Sequence, residues 1–305
     1  MTPNSLLSFS PRIAAAKAAG TPVVALESTI VTHGMPYPAN LETALAVEAE
    51  VRASGAEPAT IAVIDGTLRI GIEEGELSAL ATARDVMKLS RADLAFAIAQ
   101  RRTGSTTVAA TMIAARAAGI SVFATGGIGG VHRGGETSLD VSADLDELAR
   151  TDVIVVSAGA KAILDIGRTL EYLETKGVPV VTYRSDDLPA FWSRQSGHAA
   201  PLRLDDAADI ARFHMARAAL SIDGGMLVAN PIAEPDAIAR ETVEAWIETA
   251  LGDALAKGVS GKAVTPFLLG RIVELSGGQS LKSNIALIKA NARLAGEIAV
   301  ALAKV

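Results

Sequence analysis

Lys161 stands where a buried strand would end. The β-branched run Val153, Ile154, Val155, Val156 leads into the small-residue turn Ser157, Ala158, Gly159, Ala160, then Lys161, then Ala162, Ile163, Leu164. Such a run reads as a strand delivering the lysine to the mouth of an α/β sheet. A poorly solvated ammonium loses its proton more readily than one in water. That is how a protein makes a nucleophilic amine for Schiff-base chemistry on an aldehyde, or on a hidden carbonyl such as C1 of a sugar. A lysine snorkelling from the first turn of a helix fits the same pattern.

A second candidate is Glu27, which follows the apolar run at 23–26 and precedes Ser28, Thr29 and the loop His33, Gly34, Met35, Pro36, Tyr37, Pro38. A carboxylate held against apolar walls is harder to ionise and can serve as general acid or base; a cap accepting loop amides is the structural alternative. The run at 121–124 continues into Thr125, Gly126, Gly127, Ile128, Gly129, Gly130, Val131, His132, Arg133, Gly134, Gly135. Glycines there let backbone amides approach an anion or a flat ligand, with Thr125, His132 and Arg133 as directed donors. It is neither a dinucleotide fingerprint nor a nucleoside-triphosphate loop, because His132 stands in for the third glycine and no Gly-Lys-Ser/Thr ending is present.

Ser142 precedes a helical pattern and can cap it, so Ser142, Ala143 and Asp144 form a candidate phosphate or sugar-hydroxyl site. Asp140, just outside the cap, is available to a hard divalent cation that keeps most of its waters, a solvated or capping role being the structural alternative for both aspartates. Lys88 is a candidate counter-charge for phosphate. Asn284, near the start of the last helical pattern, pairs a donor with an acceptor, as reading an amide-like base such as uracil requires.

These groups need a sheet to present them. Strands are expected over 23–26, 60–64, 121–124, 153–156, 178–182 and 225–228, with amphipathic helices over 41–53, 106–118, 143–149 and 207–219. The alternation argues for right-handed βαβ crossovers and a largely parallel sheet. The last third is helical in pattern, over 241–256, 266–275 and 281–303. Without a low-complexity linker or internal repeat, the 305 residues are expected to form a single domain.

A net charge of −6 lacks the basic face that a phosphate backbone demands, so no nucleic-acid polymer is expected as a partner. Zero cysteines rule out disulfides and thiol catalysis. Residues 1–20 interrupt their apolar positions with Pro11, Arg12 and Lys17, unlike a signal peptide, and no apolar stretch is long enough for a bilayer. The expectation is a cytoplasmic protein that binds no membrane.

Together the segments resemble the pseudouridine-5'-phosphate glycosidases, the indigoidine synthase A-like family. The resemblance runs in order through Ala25-Leu-Glu-Ser-Thr-Ile30, Thr32-His-Gly-Met-Pro-Tyr-Pro38, Thr106-Thr-Val-Ala-Ala-Thr-Met112, Phe123-Ala-Thr-Gly-Gly-Ile-Gly-Gly-Val-His-Arg133, Asp140-Val-Ser-Ala-Asp144 and Ala158-Gly-Ala-Lys161. It continues through Leu188-Pro-Ala-Phe191, Asn230-Pro-Ile232, Thr265-Pro-Phe-Leu-Leu269 and Ser280-Leu-Lys-Ser-Asn-Ile285, covering nearly the whole chain. Ala290 departs from it, standing where relatives often carry asparagine.

The resemblance implies a three-layer α/β/α sandwich, homotrimeric assembly and reversible cleavage of the C-glycosidic bond of pseudouridine 5'-phosphate to uracil and ribose 5-phosphate. It makes Lys161 the nucleophile at ribose C1', through an imine-type adduct, and Glu27 the proton shuttle. Asp140 becomes the ligand of a mainly water-coordinated Mn ion, with Mg as an alternative. Lys88, Val108, Ser142, Ala143 and Asp144 become substrate contacts, and Thr125, His132 and Asn284 pocket residues around sugar and base. Rival readings are a Schiff-base sugar-phosphate lyase or aldolase using the same lysine, and a non-catalytic sugar-phosphate sensor in which Lys161 is only a counter-charge.

Overall fold

The computed structural model describes residues 6–305, and of Lys262 only the backbone. Its main sheet runs in the order Leu7–Phe9, Thr67–Ile70, Glu57–Ile64, Val23–Leu26, Val122–Ala124, Ile154–Ser157, Met226–Ala229, Val180–Tyr183, Leu202–Leu204. Neighbours along this path are parallel except where Glu57–Ile64 meets Thr67–Ile70. A side branch, Gly104–Thr106 with Met87–Leu89, joins Glu57–Ile64 antiparallel. Helices cover both faces, so the central strands are buried on both sides and read as continuous apolar runs.

The last helix, Gln279–Leu302, crosses one face, packing on Val122–Ala124 and Ile154–Ser157 and against the helices Ala39–Ala53 and Ala207–Ala219. Val108–Ala117 and Ala143–Arg150 pack together on the sheet's other side. Arg240–Ala256 and Val264–Leu275 complete the helical C-terminal third. No helix among the described residues is long and apolar enough to cross a membrane.

The expected central strands are present with ends shifted by up to three residues. The helix expected from 106 begins only at Val108, because Gly104–Thr106 is drawn into the sheet. There the Thr106 amide donates to Ser28 Oγ at 2.9 Å and the Thr106 hydroxyl to the Ile61 carbonyl at 2.8 Å. These cross-strand bonds outweigh the local helical preference of the stretch.

Candidate active site

The carboxyl ends of adjacent parallel strands converge on a cavity of about 450 Å³, the position where ligands bind in open α/β sheets. Val23–Leu26 delivers Glu27, and its neighbour Val122–Ala124 delivers Thr125. Glu27 is half-buried, and each of its oxygens accepts a hydroxyl: Oε2 from Thr29 and Oε1 from Thr125. The apolar cradle expected around this carboxylate is thus replaced by paired hydroxyl donors, which hold both oxygens in one orientation.

Ile154–Ser157, next in the sheet, leads through a tight turn to Lys161. Gly159 takes φ +82° there, and a Cβ would lie 2.8 Å from the Pro189 carbonyl, so only glycine fits. Ala160 then bridges to Ile128, and the Lys161 amide donates to the Ile128 carbonyl at 3.1 Å. The turn thereby lays Lys161 along the glycine-rich loop, where Nζ donates to the Gly127 carbonyl at 2.6 Å. Phe191 holds the other side of that loop. Its ring packs so closely on Gly127 that a Cβ there would stand 2.7 Å from it.

The wall is built from helix starts. Thr107 and Val108 open Val108–Ala117, while Ser142 caps Ala143–Arg150 by accepting from the Asp144 amide at 3.3 Å. First turns carry unsatisfied amides and the positive end of the helix dipole, suited to an anion. The buried Asp144 is occupied in a different way: Oδ1 accepts from the Ala109 amide at 2.9 Å and Oδ2 from the Gly129 amide at 2.8 Å. Asp144 lines the cavity, yet its carboxylate ties two helix starts to the glycine-rich loop.

Lys88, on Met87–Leu89 opposite Ser105, and His33 line the same wall. His33 Nδ1 lies 2.6 Å from Thr32 Oγ1 and 3.3 Å from Ser105 Oγ. Burial, reinforced by the Lys88 ammonium, holds the His33 imidazole below the ordinary histidine pKa, so it is neutral at pH 7.

At the rim, Val131–His132 pairs with Leu164–Asp165, and His132 Nδ1 lies 3.9 Å from Asp140 Oδ2. Asp140 is exposed, and among the described residues no group of three or more His, Asp or Glu side chains is arranged to hold a metal ion. A single exposed carboxylate is too few ligands for an all-protein cation cage. Asn284 lines the cavity from the last helix.

The cavity brings together Glu27, Lys161, Lys88, Val108, Ser142, Ala143, Asp144, His132, Asn284 and Asp140. Thr125, expected as a pocket residue, does not line it: fully buried, it spends its hydroxyl on Glu27. His33, Thr107 and Phe191 line the cavity without having been singled out from sequence. Their signal lay in the segments 32–38, 106–112 and 188–191, read there only as a resemblance.

Residues 12–301 match the family described as Indigoidine synthase A like protein. A Pseudouridine-5'-phosphate glycosidase of Methylobacterium nodulans is 63% identical over 300 residues, 98% of this chain and 89% of that protein. Pseudouridine-5'-phosphate glycosidase 1 of Rhizobium johnstonii is 66% identical over 302 residues, 99% of this chain and 95% of its own length. Among solved structures, the prealnumycin C-glycosynthase AlnA in complex with ribulose 5-phosphate superposes with a TM-score of 0.90 at 43% identity, covering 98% of this chain and 97% of that one. With a family match over nearly its whole length and relatives above 60% identity, this chain belongs to the indigoidine synthase A-like family.

Proposed function

We propose that the chain is a pseudouridine-5'-phosphate glycosidase, cleaving the C1'–C5 bond of pseudouridine 5'-phosphate reversibly to uracil and ribose 5-phosphate. The observation that carries this reading is the convergence of one lysine and one carboxylate on a single cavity, each anchored to the segment 125–127. The names of the relatives supply the substrate.

A carbon leaving group makes this cleavage harder than ordinary glycoside hydrolysis, and a covalent amine answers the difficulty. In the proposed sequence the Lys161 amine nitrogen forms a bond to C1' as it gives up a proton, while the C1'–O4' bond breaks and O4' takes a proton. The C1'–C5 bond then breaks as C5 of the uracil is protonated, the nitrogen lone pair forming the imine. Water adds to the imine carbon, the C1'–N bond breaks, and ribose 5-phosphate leaves with the amine restored. Glu27 carries protons among the amine, O4' and C5, its oxygens oriented by Thr29 and Thr125.

Lys88 and the helix starts at Val108 and Ser142–Ala143 take the phosphate and sugar hydroxyls, and Asn284 reads the base edge. His132 faces the sugar from the rim. Asp140 would hold Mn, or Mg in its place, which when bound adds positive charge beside the substrate's oxygens. Homotrimeric assembly and a cytoplasmic location belong to the same reading; light scattering in solution tests the first.

The deciding experiment is uracil release from pseudouridine 5'-phosphate with Mn, for the unaltered protein and for Lys161→Ala, with chelator as a third arm. Release that vanishes in Lys161→Ala supports the covalent reading. No release from folded, unaltered protein would sink it. Borohydride trapping with ribose 5-phosphate separates it from a sensor, which would form no adduct.

A further inference from the structure

Behind the cavity, the last helix and the end of the strand Met226–Ala229 meet through two asparagines that the chemistry above leaves unused. Asn291 is fully buried midway along Gln279–Leu302. Its Nδ2 donates to the Thr125 carbonyl at 2.8 Å, with the Gly126 carbonyl at 3.4 Å. Its Oδ1 accepts from Asn230 Nδ2 at 3.0 Å. Asn230, also buried, follows Met226–Ala229 directly, and its amide donates to the Ser157 carbonyl at 2.7 Å.

The direction of this chain is fixed by chemistry. Backbone carbonyls only accept, so the Asn291 NH₂ faces Thr125 and Gly126, its oxygen faces Asn230, and Asn230 must donate. Asparagine is a poor residue for a helix interior, and a buried amide is costly unless its groups are paired. Neither packing nor helix propensity accounts for Asn291, whereas the identity of the atoms it holds does. Thr125 gives its hydroxyl to Glu27, and Gly127, one residue past the held carbonyls, accepts from Lys161 Nζ. One amide thus grips the short backbone segment to which both reacting groups are hydrogen-bonded.

We propose that Asn291, oriented by Asn230, is a positioning residue for the reaction: it fixes the backbone at 125–126 and through it the placement of the Glu27 carboxylate relative to the Lys161 amine. The proposal rests on the reading of those two residues as the reacting groups. It extends the site to the Asn230-Pro-Ile232 segment and two turns further along the helix face that carries Asn284.

The test uses the full chain with pseudouridine 5'-phosphate. Small displacements of reacting groups cost up to about 10²-fold, so Asn291→Ala is expected to lower kcat roughly 10–100-fold. KM should stay within about threefold, because the wall that binds substrate is untouched. Thr125→Val, which strips one hydroxyl from Glu27, is expected to lower kcat similarly. Combining it with Asn291→Ala should cost clearly less than the product of the single losses, since both act through the same segment.

Asn230→Ala touches neither Thr125 nor Gly126 and releases only the orientation of Asn291; a loss of about 3–10-fold in kcat is expected. This variant also decides the matter if Asn291→Ala does not fold. A folded variant of either asparagine with kcat within about twofold of the unaltered protein would overturn the proposal, as would single losses that simply multiply with that of Thr125→Val. An inactive unaltered protein would instead bring down the reading of the site, and the proposal with it.

Discussion

At the floor of the cavity, the polar side chains are tied to sheet ends and to each other: Glu27 to Thr29 and Thr125, Lys161 to Gly127, Asn291 to Thr125 and Gly126. At the rim, Asp140 is exposed, its neighbour Leu139 is 82% exposed with φ +56°, and the His132 ring lies 3.9 Å from the Asp140 carboxylate. The floor holds groups whose separation must be right before substrate arrives, where misplacement is expensive. The rim holds groups that solvent can reach and that a hydrated ion can share. Substitutions at the floor should therefore strike turnover, and those at the rim binding.

The comparison breaks most easily at Lys161. Lys161→Ala is expected to reduce uracil release by about 10⁴-fold or more while leaving the melting temperature near that of the unaltered protein, because covalent nucleophiles act as a unit with their partners. Glu27→Gln keeps an acceptor for one hydroxyl but cannot move protons, and should cost roughly 10²–10⁴-fold in kcat with little change in KM. If either loss appeared mainly in KM, the floor would be binding substrate and not reacting with it.

Asp140→Asn tests the rim. Loss of even an outer-shell partner weakens metal sites by roughly 10–100-fold, and loss of this carboxylate should shift the Mn concentration for half-maximal activity by at least that much. Activity should recover at saturating Mn, and thermal stability should be unchanged because the side chain is exposed. Failure to recover would move Asp140 from the rim's role to the floor's.

Asp144 lies between the two, and its expected signature is stability. Asp144→Ala leaves the buried amide of Ala109 and the partly buried amide of Gly129 without their acceptor, at about 2–4 kcal/mol. Chemical denaturation would measure this, and a variant as stable as the unaltered protein would return the carboxylate to direct substrate contact.

How far the sequence revealed these regions follows from the range of the interactions. The strands bearing Glu27 and Lys161 are legible because a few β-branched residues in a row can mean little else in an alternating α/β pattern. The cap at Ser142 is legible because capping is local. The three-residue strands Met87–Leu89 and Gly104–Thr106 are too short to carry a period, so the setting of Lys88 opposite Ser105 was hidden. Thr125 showed its residue type but not the direction of its hydroxyl. Asn291 bonds to a residue 166 positions away, and nothing near it in the sequence points there. The departure at Ala290 lies one position from the asparagine that matters structurally.

The smallest effect concerns protons, and it sets His33 inside the cavity against His214 on the helix Ala207–Ala219 outside it. Both imidazoles are held below their ordinary value, His33 by burial and then Lys88, His214 by burial, which outweighs the opposing pull of Asp152. A depressed folded-state value means that the unfolded chain binds the proton first as pH falls. The stability these neutral rings contribute is therefore present above the unfolded value of about 6.5 and is lost as pH falls through the folded values, at no more than about 1.4 kcal/mol per pH unit for each ring. His33→Gln should make the acid limb of a melting-temperature profile shallower and leave the portion due to His214. Saturating ribose 5-phosphate supplies the sharper comparison: an anion beside Lys88 favours the protonated His33 ring and should soften the acid loss. In His33→Gln that softening should disappear, the variant also controlling for the ligand's own titration. An equal response in both proteins would mean that the phosphate binds away from the His33 wall.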